Sequence, residues 1–84
     1  MEPVRVRVVY FGMAKDLAGR KEEELSLAAP ASVDDLVSET ERRHAGLKRL
    51  RGLARVAVND ELVGDGIPLL GGERVAILPP VAGG

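Results

Sequence analysis

The stretch Val4-Arg5-Val6-Arg7-Val8-Val9-Tyr10-Phe11 repeats with a period of two, and that period constrains the fold more than anything else in the chain. Side chains alternate across a strand, so Val4, Val6, Val8 and Tyr10 share one face and Arg5, Arg7, Val9 and Phe11 share the other. This is a half-buried strand, ended by Gly12. Glu22 to Leu27 repeats the pattern, with Leu25 and Leu27 inward and Glu24 and Ser26 outward. Between the two strands, Met13 to Ala18 has room for one helical turn, with Gly19 as its stop. Two strands with one apolar face each need a covering layer.

One stretch supplies that layer. After Pro30 breaks the second strand, Ser32 is placed to cap a helix, and Asp34 and Asp35 fall in its first turn, where the helix dipole favours negative charge. Val33, Leu36 and Val37, continuing through Thr40, keep helical spacing. Arg42, Arg43 and His44 fall in the last turn, where positive charge is favoured, and Gly46 is expected as the residue that ends it. Leu47, Leu50 and Leu53 are expected to continue the core through an irregular stretch. Three further strands follow: Arg55 to Asn59, a turn at Asn59-Asp60, Glu61 to Val63, a loop at Gly64-Asp65-Gly66, and, after Gly71-Gly72, Glu73 to Leu78. The order β-β-α-β-β-β, with one main helix across one face of a mixed sheet, is an α+β architecture.

Composition then narrows the function. Eighty-four residues make one domain. The formal net charge is −1 and the only aromatic residues are Tyr10 and Phe11, so neither the basic surplus nor the stacking platform that nucleic acid requires is present. With no cysteine and one histidine, His44, the sequence offers no disulfide framework, no thiolate or multi-histidine metal site and no cysteine nucleophile. No apolar run reaches the length of a membrane span and no signal-peptide core is visible, so no membrane partner and a cytoplasmic location are expected. His44 fits a cation at a helix end, Glu22-Glu23-Glu24 a solvated turn, and Arg42-Arg43 the surface.

Two glycine pairs separate structure from chemistry. Gly71-Gly72 lies before a strand and suits a tight turn with positive φ. Gly83-Gly84 makes no turn. Pro79 and Pro80 stop the sheet, because proline donates no ladder hydrogen bond, and they favour an extended path. The expected division is a folded domain over 1–78 and a tail over 79–84 that spans roughly 20 Å at ~3.3 Å per residue. Side chains dwindle along Pro80, Val81, Ala82, Gly83 and Gly84, a shape suited to a narrow slot. The one reactive group is the Gly84 carboxylate. Joined to AMP as a mixed anhydride it becomes an electrophile; a sulfur nucleophile displaces the AMP and leaves a C-terminal thiocarboxylate, itself a nucleophile.

These residues resemble a known family. The element order with a protruding Gly-Gly is similar to the ubiquitin-like, β-grasp sulfur carriers of the MoaD/ThiS type, and Pro79-Pro80-Val81-Ala82-Gly83-Gly84 resembles the ending of molybdopterin synthase small subunits. Val8 to Gly19, Val58 to Val63, Pro68-Leu69 and Glu73 to Ala76 extend the resemblance over nearly the whole chain. Leu78 stands where many members carry an aromatic residue. The resemblance implies that an E1-like adenylyltransferase uses ATP to adenylate Gly84, that a sulfur donor of the cysteine desulfurase or rhodanese type supplies the sulfur, and that the tail enters the large synthase subunit. There it gives sulfur to cyclic pyranopterin monophosphate in molybdenum cofactor biosynthesis. It implies no bound cofactor and no catalytic residue in this chain beyond the Gly84 carboxylate itself, the catalytic groups being the partner's. Carriers for thiamine thiazole or tRNA thiolation share the fold and the Gly-Gly, and a ubiquitin-like protein modifier would expose the same carboxylate to lysine amines. A partner-docking face is expected where Phe11, Leu62 and Leu78 gather at the root of the tail, opposite the helix. Val9 belongs to the same face, which is expected to be open to solvent.

Overall fold

A computed structural model describes residues 2–80. Strand β1 (Val4–Tyr10) runs into a short helix α1 (Gly12–Ala18), and β2 (Glu22–Leu27) returns antiparallel to β1, pairing Val4 with Leu27 and Val6 with Leu25. A two-residue strand β3 (Ala31–Ser32) leads into the main helix α2 (Val33–Arg43), followed by a 3-10 helix over Ala45–Leu50. The second half is β4 (Arg55–Val58), β5 (Glu61–Val63), β6 (Pro68–Leu69) and β7 (Arg74–Leu78). Five strands form one mixed sheet in the order β2-β1-β7-β4-β5, and β3 and β6 form a small second one. Strands β1 and β7 are parallel neighbours at its centre; the other pairs are antiparallel.

The local chemistry explains the elements. At the start of α2 a reciprocal capping box forms: the Asp35 amide donates to Ser32 Oγ at 3.3 Å and the Ser32 amide donates to Asp35 Oδ2 at 2.9 Å. Asn59 and Asp60 both take positive φ, 50° and 71°, the left-handed pair that a two-residue hairpin between β4 and β5 requires. Gly71 and Gly72 also have positive φ, and the Glu73 carboxylate accepts the Leu70 and Gly71 amides at 2.7 Å, which fixes the turn into β7.

The core lies between one sheet face and α2 with the 3-10 helix. It contains Val4, Val6, Val8, Tyr10, Leu25, Leu27, Val33, Leu36, Leu47, Leu50, Val75 and Ile77. The alternation of β1 and β2 therefore divides as the sequence predicts.

Four expectations are corrected. Leu53 is 58% exposed and outside the core, because the chain turns at Arg51–Leu53 before entering β4. Gly46 does not end α2: the helix stops at Arg43 with His44 as its cap, and Gly46 packs against Leu17. Glu22-Glu23-Glu24 is not a solvated turn but the start of β2, with Glu23 buried. Val9 lies on the face opposite the core yet is only 3% exposed; a valine on a central strand is flanked on both sides by cross-strand neighbours, here Glu22 and Ala76.

Candidate functional site

The sheet face away from α2 is built in rows set by the strand register. One row runs Glu22, Val9, Ala76, Ala57, Leu62 from β2 to β5. Val9, Ala57 and Ala76 are buried but stand outside the core cluster, as residues of the opposite face should. Leu62 is 54% exposed at the end of the row. The next row, toward the end of β7, places Phe11 beside β7 through its amide, which donates to the Ile77 carbonyl at 3.3 Å, and pairs Leu78 with Arg55. Phe11 is 41% exposed and Leu78 half-buried. Phe11, Leu62 and Leu78 thus share one apolar face around the point where β7 ends.

Charge frames that face. Arg7 pairs with Glu22 at 3.0 Å and Arg74 with Asp60 at 2.9 Å, on the side of the sheet away from Pro79. Arg55, beside Leu78, makes no ion pair among the described residues. An apolar patch of this kind with a charged rim is how protein interfaces are built.

The root of the tail is itself seated. Pro79 is half-buried and Pro80 exposed. Gly12, with φ +50°, lies so close that a Cβ there would meet Pro79 Cγ at 3.4 Å. Val81, Ala82, Gly83 and Gly84, where the sequence places the reactive end, lie outside the described residues.

On the core side at the same end of β1, a second polar cluster forms. Glu23 Oε2 accepts the Tyr10 hydroxyl and His44 Nε2 at 2.6 Å each, and its other oxygen accepts Arg20 at 3.1 Å. An ionised carboxylate only accepts, so His44 carries its proton on Nε2. Tyr10 and His44 also meet edge to face at 5.8 Å. Burial pushes the Glu23 carboxyl up, but the Tyr10 and His44 hydrogen bonds outweigh it and hold the group below its ordinary value. Burial, followed by the bond to Glu23, pushes the Tyr10 phenol above its ordinary range. His44 stands at the end of α2, as the sequence predicts, and its bond to Glu23 also ties α2 to β2. Sequence reasoning missed this cluster because its members are far apart in the chain.

On the helix side, a groove of about 330 Å³ lined by Val37, Leu47, Leu50, Val56 and Ile77 carries Glu41 and Arg51, paired with each other, at its rim. It brings no nucleophile and base together. Among the described residues no group of three or more His, Cys, Asp or Glu is placed to hold a metal ion, and no helix is long and apolar enough to cross a membrane.

A family model described as the ThiS family matches residues 8–84. The chain belongs to the ThiS family. It is 34% identical over 83 residues to the molybdopterin synthase sulfur carrier subunit of Homo sapiens, covering 95% of this chain and 94% of that one. A solved structure described as a putative molybdopterin converting factor, subunit 1, from Pyrococcus furiosus superposes with a TM-score of 0.85 at 35% identity, covering 93% of this chain and 99% of that one. A protein–protein complex of subunits 1 and 2 of the molybdopterin-converting factor from Helicobacter pylori contains a chain with a TM-score of 0.66 at 32% identity, covering 96% of this ThiS-family chain and 100% of that chain. The mixed sheet with its crossing helix is the ubiquitin-like β-grasp fold.

Proposed function

We propose that this chain is the sulfur-carrier small subunit of a molybdopterin synthase. The observation that carries the reading is the convergence of Phe11, Leu62 and Leu78 on one open face around the end of β7, in a chain of the ThiS family. That placement lets a partner grip the folded domain and receive the tail in one encounter. The partner is the large synthase subunit, the kind of complex that the Helicobacter pylori structure describes for its own two subunits.

In this reading the Gly84 carboxylate attacks the α-phosphorus of ATP on an E1-like adenylyltransferase, and pyrophosphate leaves. The outer sulfur of a persulfide-type donor attacks the carbonyl and displaces AMP, giving an acyl disulfide; a second thiol of the sulfur-transfer machinery then attacks the donor's sulfur, so that a disulfide forms there and the thiocarboxylate leaves. Pro80, Val81, Ala82 and Gly83 carry it into the large subunit, where its sulfur attacks cyclic pyranopterin monophosphate. The carrier binds no cofactor of its own, contributes no acid or base to the partner's chemistry, and works in the cytoplasm. Small residues at the end suit a slot in which a side chain on Cα would hinder attack.

Intact mass of the protein purified with its partners tests the reading, the expected species carrying sulfur in place of one C-terminal oxygen. A variant lacking Gly84, or extended by two residues and shown by mass to remain unprocessed, should fold normally and support no molybdopterin formation. Product formed by the unprocessed extended variant overturns the proposal. A diglycine remnant on lysines of other proteins, without thiocarboxylate, assigns the chain to protein modification instead.

A further inference from the structure

The first strand, the first helix and the last strand meet at one residue. The Phe11 amide donates to the Ile77 carbonyl at 3.3 Å, the last described rung joining β1 to β7. The Phe11 carbonyl in turn accepts the Ala14 amide at 2.9 Å and the Lys15 amide at 3.4 Å, so the same residue caps α1. The chain must therefore swing from strand to helix within one residue, directly beside the place where β7 gives way to Pro79. Gly12 makes that swing with φ +50°, a left-handed conformation that residues with a Cβ rarely adopt. Of the eight described glycines, Gly12 and Gly46 alone would bring a Cβ within 4 Å of a neighbour; for Gly12 that Cβ would just touch the Pro79 ring at 3.4 Å, so the ring lies against Gly12 and a side chain longer than a methyl has to push it aside. Pro79 has no amide hydrogen with which to extend the ladder, so its ring contact is what the strand pairing cannot supply.

We propose that Gly12 is a positioning residue for sulfur transfer: it seats Pro79 and so sets the line along which the chain leaves β7 toward its reactive end. The inference rests on the sulfur-carrier reading above. A group at the end of a stiff proline segment is displaced by any tilt at its base, and the displacement grows with distance from the pivot. The docking face borders this seat, because Phe11 precedes Gly12 and Leu78 precedes Pro79, but its grip comes from the side chains of Phe11, Leu62 and Leu78 rather than from Gly12 or the Pro79 ring. Affinity for the partner and delivery of sulfur should therefore respond differently when the seat is filled.

The test uses Gly12→Asn, because asparagine tolerates the left-handed backbone but occupies the space below Pro79, with Gly12→Ala as the smaller intrusion. Each is made alone and with Pro79→Ala, which removes the ring. All are prepared as thiocarboxylates and mixed with the large subunit and cyclic pyranopterin monophosphate, and single-turnover transfer and binding affinity are measured with thermal melts alongside. Misplacing a reacting group by about 1 Å costs about 100-fold in rate, so Gly12→Asn should slow transfer by roughly 10- to 100-fold while affinity stays nearly constant. Gly12→Ala should lie between Gly12→Asn and the wild type. In the Pro79→Ala background neither change at residue 12 should slow transfer further. If both variants transfer at the wild-type rate, or if their losses persist undiminished when Pro79 is alanine, the seat is not what positions the tail. Should Gly12→Asn fail to fold, the Gly12→Ala pair decides by the same comparison. A wild-type thiocarboxylate that transfers no sulfur overturns the sulfur-carrier reading itself, an outcome distinct from the other two.

Discussion

Replacing Glu23 by alanine removes the acceptor shared by the Tyr10 hydroxyl, His44 Nε2 and Arg20. Tyr10 is 1% exposed, so its hydroxyl would be left without a partner and out of reach of water. An orphaned buried donor costs about 1–3 kcal/mol, and bonds to a charged group contribute about 1.5–3 kcal/mol. Arg20 is half exposed and adds little. A total near 3 kcal/mol follows, which lowers the melting temperature of a domain this size by roughly 10–25 °C. Tyr10→Phe in the same background removes the orphan, so the double variant should melt above the temperature expected from adding the single losses. The pH dependence carries a definite sign. The Glu23 carboxyl is held below its ordinary value of 4.5, so its stabilisation is complete above that value and is lost as the pH falls through the lower folded value. Glu23→Gln, which cannot titrate, should flatten the loss of stability on the acid side. Calorimetric or circular-dichroism melts from neutral pH downward give both readouts. A Glu23→Ala drop below about 4 °C, equivalent to less than 1 kcal/mol, or an unchanged acid limb in Glu23→Gln, would refute the assignment of this cluster as a structural tie.

Leu36 is fully buried under the sheet, so Leu36→Ala should cost about 2–5 kcal/mol in urea unfolding, with the slope unchanged. Asp35→Ala breaks the capping box of α2 and should lower stability by about 1 kcal/mol, read from the same titration. Leu62→Asp and Phe11→Asp alter exposed apolar side chains; each should weaken binding to the large synthase subunit by about tenfold or more, since burying one such side chain contributes about 1.5–3 kcal/mol, with melting temperatures nearly unchanged. Calorimetric titration against the partner measures the loss, and unchanged affinity for both excludes this face as the docking surface.

The parts of the fold that were legible in the sequence are those governed by short-range periodicity. Val4 to Tyr10 and Glu22 to Leu27 show their inward faces directly, and Ser32 with Asp35 marks the start of α2 before any contact is known. The gathering of Phe11 and Leu78 also followed from strand parity once β1 and β7 were placed side by side. What stayed hidden depends on distance in space. Glu23 looks like one of three solvated acids until Tyr10 and His44 arrive from other elements. Val9 was placed on the correct face, but its burial is decided by neighbours on adjacent strands. Strands β3 and β6 have two residues each, too few for any periodicity to register. The role of Gly12 against Pro79 required coordinates at both ends of the chain.

The parallel pairing of β1 with β7 joins Arg7 to Arg74 and Tyr10 to Ile77 across most of the polypeptide. Loops of that span must close before the central pairing returns any free energy, which raises contact order and slows folding. A growing chain on the ribosome can collapse β1 against β2 early, but the middle of its sheet stays unpaired until β7 has emerged. The sheet is thus closed by the same strand that leads into Pro79, and chains that stop before β7 expose an open edge of β1 to quality-control proteases.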